Sequence, residues 1–155
     1  MDDVDIRPAR ADEIHAVAEL RWRWLAENRR VPVVGHEEFV SFFVDFAARH
    51  PDHHCAVAVR GGVVVGMAWL AVVSRVPSPT QLERASGDVQ SVYVVPDARG
   101  GGIGGRLMGA VLSRADQLEL GHVTVHSSDG AVTLYQRAGF AASPTYLVRT
   151  PDGQG

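Results

Sequence analysis

The residues most suited to chemistry form a glycine-rich run, Arg99-Gly100-Gly101-Gly102-Ile103-Gly104-Gly105. The run follows a β-branched segment and opens an amphipathic one, so we expect it to join a strand to a helix. The first N–H groups of a helix have no intrahelical partner, and the helix dipole adds partial positive charge there. Glycine lets the backbone approach a ligand closely, and Arg99 adds a permanent cation. The run therefore predicts a binding site for an anion such as a diphosphate.

Two common diphosphate motifs match this run poorly. It contains Gly100-x-Gly102-x-x-Gly105, formally the fingerprint of dinucleotide-binding proteins. In those proteins the first glycine follows the first strand almost directly, whereas here residues 96–99 intervene and most of the chain comes earlier. The phosphate loop of nucleoside triphosphatases requires a lysine, and the chain has none. A small dinucleotide-binding protein therefore stays the weaker alternative.

The composition limits the class of protein. The 155 residues are 46% hydrophobic and 21% charged, as in one globular domain, which we place at residues 1–150 with a flexible tail at 151–155. The net charge of -3 supplies no basic field, so no nucleic acid is expected as a partner. The acidic N-terminus is unlike a signal peptide, and no apolar run is long enough to cross a bilayer. We expect no membrane partner and a cytoplasmic location.

A nucleophilic cysteine and a metal site are both disfavoured. The single cysteine, Cys55, begins an apolar segment far from the glycine run, which favours a core role over a covalent acyl intermediate. His53 and His54 adjoin it, but a metal site requires more matched ligands, so no metal is predicted. All 15 basic residues are arginine, so the chain offers no lysine amine to an acylating reagent.

The elements that would position the glycine run follow from hydrophobic periodicity and turn residues. In the first half they are a strand over residues 4–7, a helix capped by Asp12 and ending near Asn28, a helix ending before Pro51, two strands over residues 55–60 and 63–73 joined by Gly61-Gly62, and a loop over residues 74–86. In the second half they are strands over residues 88–95, 122–126 and 142–149, a helix over residues 103–120 closed by Gly121, and a helix over residues 131–138.

These elements predict an α/β (α+β) fold. The helix between the strands at residues 88–95 and 122–126 makes a βαβ unit, whose strands must be parallel. The Gly61-Gly62 hairpin is antiparallel. We therefore expect a mixed, mostly antiparallel, twisted sheet of about six to seven strands flanked by helices, with the βαβ unit at its centre.

Two segments together resemble the GNAT superfamily of N-acetyltransferases. The superfamily signature is Arg or Gln, two residues, Gly, any residue, then Gly or Ala, which Arg99-Gly100-Gly101-Gly102-Ile103-Gly104 satisfies. The preceding Val92-Tyr93-Val94-Val95-Pro96-Asp97 is similar to the family's fourth strand and its exit. Leu134-Tyr135-Gln136-Arg137, followed by Gly139-Phe140, is similar to the family's late helix. The resemblance implies the acyl-CoA N-acyltransferase fold and acetyl-CoA as co-substrate.

The resemblance also implies how acetyl-CoA would bind. The two parallel strands would splay apart, and backbone groups of Val92, Tyr93 and Val94 would pair with the pantetheine amides and the acyl carbonyl. The pyrophosphate would lie on the turn, whose expected ligands are Arg99 and the N–H groups of Gly100, Gly101, Gly102, Ile103, Gly104 and Gly105. Arg137 would reach a cofactor phosphate, unless it is simply solvated. Ser128 replaces an asparagine of many relatives and can contact pantetheine or cap the late helix.

Two catalytic residues follow from the same resemblance. Tyr135 resembles the family's leaving-group tyrosine, whose phenol can protonate the departing sulfur, although it can also serve only to pack its helix. Asp88 resembles, by its offset from Arg99, the acidic base of the histone-modifying branch. Glu83, His126 and an ordered water chain compete with Asp88 for that role.

The implied function is transfer of an acetyl group from acetyl-CoA to a primary amine of a small molecule or peptide, by direct attack in a ternary complex. Acceptor pockets in the family are built by the N-terminal helices, here residues 21–38, and by the loop at residues 74–86. Trp22 and Trp24 lie two apart and should face different sides of a helix. A non-catalytic acyl-CoA sensor of the same fold is the alternative reading, and a homodimer is possible. The sequence leaves the acceptor's identity open.

Overall fold

The computed structural model describes residues 3–151, apart from the side chain of Asp129. Residues 152–155 of the expected tail and the first two residues of the acidic N-terminus lie outside this range. The strands and α-helices follow one another as β1 (Val4–Pro8), α1 (Ile14–Glu27), α2 (His36–Arg49), β2 (His53–Arg60), β3 (Val63–Arg75), β4 (Arg84–Val94), α3 (Ile103–Gln117), β5 (Val123–Val125) and α4 (Val132–Arg137).

The strands form one mixed sheet in the order β1-β2-β3-β4-β5. The first three pairings are antiparallel, and β4 pairs with β5 in parallel, with α3 as the crossover between them. The predicted class and the βαβ unit are therefore confirmed. The predicted central position of the unit is wrong, because β5 is the last strand in the order and the unit lies at one edge of the described sheet. The predicted count of about six to seven strands is too high for the described residues, which form five.

The strand predicted over residues 142–149 accounts for part of that difference. The structure shows a turn at Pro144 and Thr145 and no strand elsewhere in this segment, all of which is exposed. The Ser143 hydroxyl accepts a hydrogen bond from the Thr145 N–H at 3.3 Å, and such local bonds compete with a strand ladder. The β-forming residues around Leu147 have no neighbouring strand to pair with, and propensity alone does not make a strand.

Hairpins account for the antiparallel part of the sheet. Gly61 and Gly62 have φ angles of 58° and 77°, and two consecutive positive values are typical of a tight turn whose twist matches the flanking strands. The loop predicted over residues 74–86 is shorter than expected, because the β3–β4 ladder continues to the pair Arg75 and Arg84. A ladder requires only backbone pairing, so it extends beyond the residues whose side chains are buried.

Helices cover both faces of the sheet. Side chains alternate across a strand, so neighbouring positions of β3 face opposite sides. The Trp69 ring contacts Phe43 of α2 at 5.6 Å, on the face that α1 also covers. A Cβ built on Gly66, three positions earlier, would lie 3.0 Å from Leu107 of α3. The sheet is therefore enclosed by α1 and α2 on one side and α3 on the other. None of the described helices is long and apolar enough to cross a membrane.

The entry to α1 differs from the prediction. Asp12 makes no cap; instead a 3-10 turn over Ala11–Glu13 precedes the helix, and the Glu13 carboxylate accepts the Arg10 N–H at 2.8 Å. The same carboxylate receives two hydrogen bonds from the Arg7 guanidinium, at 2.6 and 2.7 Å. Chiefly because of those two bonds, the pKa of Glu13 falls to about 2. The charged pair thus ties β1 to the start of α1.

Substituting Glu13 with glutamine should lower the free energy of unfolding at pH 7 by about 1–2 kcal/mol, since a charge-assisted pair is lost. A carboxyl whose folded pKa is depressed stabilises the fold above its unfolded pKa of about 4.5, and that stabilisation is lost as the pH falls toward about 2. Urea unfolding at pH 7 and pH 3 would measure both effects. Asp12→Asn is the control, because this exposed neighbour is expected to change stability by less than about 0.5 kcal/mol. If Glu13→Gln lowers the free energy of unfolding equally at both pH values, the stabilisation does not come from the ionised Glu13 carboxylate.

The end of α3 also differs. Gly121 was expected to end the helix, but Glu119 takes the left-handed position, with φ 56°, and the Leu120 N–H donates back to Ala115 O. Gly121 instead donates its N–H to Ala85 O at 2.9 Å, next to the point where β4 meets β5. Its backbone therefore extends the contact between the two parallel strands rather than closing the helix.

Candidate active site

β4 and β5 separate along their length. Their pairing runs only from Gly87↔Val123 to Val89↔Val125, while β4 continues to Val94. Beyond Val89, no described strand pairs with the β4 edge that β5 leaves. Backbone N–H and C=O groups require hydrogen-bond partners, so this edge is open to an extended polar ligand. The predicted residues Val92, Tyr93 and Val94 all lie on this stretch, which remains paired with β3 on its other side but not with β5.

A β-bulge interrupts β4 at the same place. Gln90 pairs with Trp69 and Tyr93 pairs with Met67, so β4 carries one extra residue over this interval. Ser91 has a φ of 52°, a left-handed value that is uncommon for residues other than glycine. A bulge bends its strand and re-aims the following groups. Residues 90–93 include no glycine or asparagine, the residues that most often take such a φ, so the sequence did not indicate this bulge.

The glycine turn joins β4 to α3 as predicted. After a 3-10 turn over Pro96–Ala98, Gly100 and Gly102 have φ angles of 88° and 83°, and α3 begins at Ile103. No side chain caps the helix, and its first backbone bond is Arg106 N to Gly102 O, at 3.1 Å. The N–H groups of Ile103, Gly104 and Gly105 therefore have no partner within the helix. They form a concentration of donors suited to an anion.

Arg99 anchors this turn to the rest of the protein. Its Nε donates to Val94 O at 2.8 Å, and its Nη2 donates to the Glu27 carboxylate of α1 at 2.8 Å. The Tyr93 hydroxyl donates to the other Glu27 oxygen at 2.9 Å. The hydrogen bond from Arg99, and to a smaller extent the one from Tyr93, holds the pKa of Glu27 below its usual value. The Arg99 side chain thus serves to position the turn, and Glu27, which the sequence analysis did not identify, is its counter-ion.

Two adjoining pockets lie along this edge of the sheet. The turn pocket, about 480 Å³, is lined by Glu27, Asn28, Val94, Ala98, Arg99, Gly100, Gly102, Ile103, Gly104, Gly130 and Leu134. The inner pocket, about 470 Å³, is lined by Arg21, Arg30, Met67, Asp88, Val89, Gln90, Ser91, His126 and Tyr135. Both are also lined by Trp24, Val92, Tyr93, Ser128 and Ala131. The shared residues make the two pockets one continuous cleft.

The two predicted catalytic residues lie in the inner pocket. The Asp88 carboxylate accepts hydrogen bonds from Thr124 Oγ1 at 2.8 Å and from Gln90 Nε2 at 2.9 Å. A carboxylate has about four acceptor positions, so Asp88 retains capacity for a further donor. Tyr135 is 8% exposed, and its ring packs edge-on against Phe140 at 5.8 Å. Burial raises the pKa of Tyr135, so its phenol is protonated at neutral pH.

Only some of the other predicted site residues line the two pockets. Ser128 lines both pockets, and its side chain makes no cap bond to the following turn. His126 lines the inner pocket, whereas the exposed Glu83 lines neither pocket. Gly101, Gly105 and Arg137 also lie outside both linings. Of the residues considered as a base, Asp88 and His126 are therefore the two that the fold brings to the cleft.

The tryptophans of α1 have separate environments, as their spacing suggested. Trp22 packs against His36 and Phe39 at 5.1 and 5.7 Å, in the contact with α2. Trp24 faces the cleft. Cys55 lines neither pocket, and burial raises the pKa of its thiol well above the usual value. The described residues include no group of three or more side chains arranged to hold a metal ion.

The family model described as an acetyltransferase (GNAT) domain matches residues 28–149. The chain belongs to this GNAT acetyltransferase family. The match includes β4, the glycine turn and α4, and thus most of the cleft of this GNAT chain.

Solved structures resemble the GNAT chain over nearly its whole length. A predicted acetyltransferase of Clostridium acetobutylicum, solved with acetyl-CoA, has a TM-score of 0.77 at 18% identity, covering 96% of each chain. An acetyltransferase of Trypanosoma brucei has a TM-score of 0.73 at 22% identity, covering 96% of this chain and 100% of its own. Glucosamine-6-phosphate N-acetyltransferase of Arabidopsis thaliana has a TM-score of 0.72 at 16% identity, covering 97% and 99%. At such identities the likeness establishes the fold. No curated protein is similar enough to match.

Gly102→Ala is expected to raise KM for the acyl donor about tenfold. The φ of 83° costs an L-residue roughly 1–2 kcal/mol, and the added methyl group would take up open space at a residue that lines the turn pocket. Steady-state kinetics with acetyl-CoA as the varied substrate would measure this. Gly109→Ala is the control, because Gly109 lies within α3, has no close neighbour and needs no positive φ. A Gly102→Ala enzyme with an unchanged KM would contradict the assignment of the turn to the donor.

Proposed function

We propose that this GNAT protein is an N-acetyltransferase that transfers an acetyl group from acetyl-CoA to a primary amine by direct attack in a ternary complex. One observation carries the proposal. The turn pocket, with its partnerless helix N–H groups, continues along the open β4 edge into an inner pocket that contains a carboxylate and a buried phenol. An acyl donor has its phosphates, its amide-bearing arm and its thioester in that same order.

The residues present fit acetyl-CoA. The N–H groups of residues 103–105 can bind the pyrophosphate, and Arg99 holds the turn in place through Glu27. The backbone of residues 92–94 can pair with the amides of the pantetheine arm, because β5 no longer occupies that edge. Ser128 contributes a hydroxyl that no capping contact uses. The thioester would then lie near Tyr135 in the inner pocket.

Asp88 and Tyr135 have complementary roles in the proposed reaction. Asp88, directly or through a water molecule, accepts a proton from the ammonium group of the acceptor. The freed nitrogen lone pair forms the new C–N bond, and the C–S bond breaks. The nitrogen then releases its second proton, which returns through water to the Tyr135 oxygen once the phenol has protonated the departing sulfur. Tyr135 donates its phenolic proton to the departing sulfur, and its raised pKa ensures that the proton is available. The N–H groups of the bulged β4 backbone can stabilise the charge that develops on the carbonyl oxygen.

Direct attack is favoured over a covalent acyl-enzyme. A ping-pong route needs a nucleophile that is activated and close to the thioester. Cys55 is the chain's sole thiol, and it lines neither pocket. Its raised pKa keeps it protonated at neutral pH, so it lacks the thiolate that such a route requires.

Thiol release from acetyl-CoA across a panel of primary amines would test the proposal, with NAD and acetyl-CoA compared by thermal shift on the same protein. We expect acetyl-CoA, and not NAD, to raise Tm, and at least one amine to accelerate thiol release with formation of its acetamide. Stabilisation by acetyl-CoA without any amine-dependent turnover would support a non-catalytic acyl-CoA sensor. Stabilisation by NAD alone would support the dinucleotide alternative.

A further inference from the structure

Two arginines of the inner pocket lack an anionic partner. The guanidinium carbon of Arg21, on α1, lies 4.2 Å from the centroid of the Trp24 ring, and that of Arg30 lies 5.9 Å from the same centroid. Within the described part of the chain, neither side chain forms an ion pair or a hydrogen bond. Arg7 and Arg99, by contrast, each bind a glutamate. The two cations beside Trp24 are therefore left available to a ligand.

In the absence of a ligand, the position of Arg21 in the pocket is unfavourable in hydration free energy. Arg21 is half-buried, and burial, followed by repulsion from Arg30, lowers its pKa. A cation that is partly withdrawn from water without a counter-charge loses hydration free energy. The ring of Trp24 offsets part of this loss through a cation–π contact, but a ring does not neutralise the charge. An anion bound between the two guanidinium groups would.

The backbone holds Arg30 in this position. The end of α1 forms two reversed hydrogen bonds, from Arg29 N to Ala26 O at 3.1 Å and from Arg30 N to Leu25 O at 3.0 Å. This motif places Arg29 at a φ of 54°, a left-handed conformation that favours glycine. The turn directs the chain back over the helix end, where Arg30 meets Trp24. The backbone of Arg30 is thus fixed beside the helix end, and its exposed side chain extends from there toward Trp24.

The position within the cleft identifies which substrate would supply the anion. Arg21 and Arg30 line the inner pocket but not the turn pocket, which is the one that the first residues of α3 line. The carboxylate of that pocket, Asp88, is already bonded to Thr124 and Gln90 and makes no ion pair with either arginine. The inner pocket therefore presents two cations and one separate carboxylate.

We propose that the acceptor is a primary amine that also carries a phosphate or carboxylate group, which Arg21 and Arg30 bind while the amine meets Asp88. This inference rests on the proposed function, since it concerns the acceptor of the same site. Guanidinium groups bind either anion through two parallel N–H donors, so the shared chemistry is an oxyanion with two accessible oxygens.

Binding and turnover would be measured separately on paired amines. The pairs are phosphoethanolamine with ethanolamine, and L-phenylalanine with L-phenylalaninamide, titrated calorimetrically into the protein saturated with CoA. In at least one pair, we expect the anionic member to bind about 10–100-fold more tightly, as for a charge-assisted hydrogen-bonded pair. Arg21→Gln should remove that preference. Arg29→Gln, an exposed neighbour that lines neither pocket, should retain it.

Equal affinities within both pairs, or a preference that survives Arg21→Gln, would overturn the inference. The inference is also overturned if Arg21→Gln raises KM for acetyl-CoA and leaves acceptor binding unchanged, because the arginines would then bind the acyl donor and not the acceptor. Turnover is read independently by thiol release. Its absence with every amine contradicts the proposed function, while the calorimetric preference still decides whether this pocket selects anionic amines.

Discussion

Replacing Tyr135 with phenylalanine should lower kcat about a hundredfold and leave KM for acetyl-CoA nearly unchanged. The substitution removes one oxygen and keeps the ring that packs against Phe140. The lost group is the proposed proton donor to the departing sulfur, and one general acid contributes typically 10²–10⁴-fold to a rate. Because the ring stays in place, the cleft should keep its shape and its affinity for the donor.

The pH dependence of the wild-type enzyme provides a second measure. Burial places the pKa of Tyr135 above its ordinary value of about 10, so the acid form should persist through the neutral range and any loss of kcat due to this group should appear only in strongly alkaline solution. Tyr146→Phe is the matched control, since Tyr146 is 50% exposed and lines neither pocket. If kcat at saturating substrates is the same in Tyr135→Phe and wild type, Tyr135 serves only to pack α4.

The glycine turn could be predicted from sequence because its causes are local. Positive φ angles at Gly100 and Gly102, and the start of α3 immediately afterwards, depend on residues that are neighbours in the chain. The βαβ unit was predictable for a related reason, since a strand, a helix and a strand in short succession permit essentially one handed arrangement. The backbone geometry of the turn, which favours an anion, was therefore predictable from the sequence.

The residues that hold the turn and Asp88 in position could not be predicted from local sequence patterns. Glu27 meets Arg99 across 72 positions of the chain, and Thr124 meets Asp88 across 36. Such contacts arise from packing α1 and β5 against β4, and no periodicity encodes them. The bulge at Ser91 is hidden for the same reason, because it depends on the register between β3 and β4. Sequence reasoning located the residues that we propose to bind or react, and it missed the residues that hold them in position.

The strand predicted over residues 142–149 shows the opposite error. The β-forming residues Thr145-Tyr146-Leu147-Val148 are a local signal, and the signal is present in the sequence. A strand also requires a neighbouring edge, and in the described structure the segment has a turn around Pro144 and no edge to join. Local preference was therefore overruled by the lack of a partner, which is the usual fate of β propensity without tertiary support.

Asp88→Asn is expected to lower kcat/KM for the acceptor on the order of 10²–10³-fold, as for loss of a general base. Asparagine preserves the size of the side chain and can still accept the hydrogen bond from Thr124. The Gln90 amide can rotate to present its oxygen to the new NH₂ group, so the local network can survive. The change therefore removes the charge and little else. Kinetics at several pH values would show the loss together with a changed pH dependence of kcat/KM.

Two further variants distinguish Asp88 from a competing base, Glu83, and from its hydrogen-bond donor, Thr124. Glu83→Gln should leave kcat/KM unchanged, because Glu83 is exposed and outside both pockets. Thr124→Val removes one hydrogen bond to Asp88 but keeps the carboxylate, so we expect a smaller loss and an unchanged form of the pH dependence. An Asp88→Asn enzyme whose pH profile matches wild type would shift the role to His126 or to a water chain. The pair Asp88→Asn and Thr124→Val thus distinguishes the charge that accepts the proton from the contact that orients it.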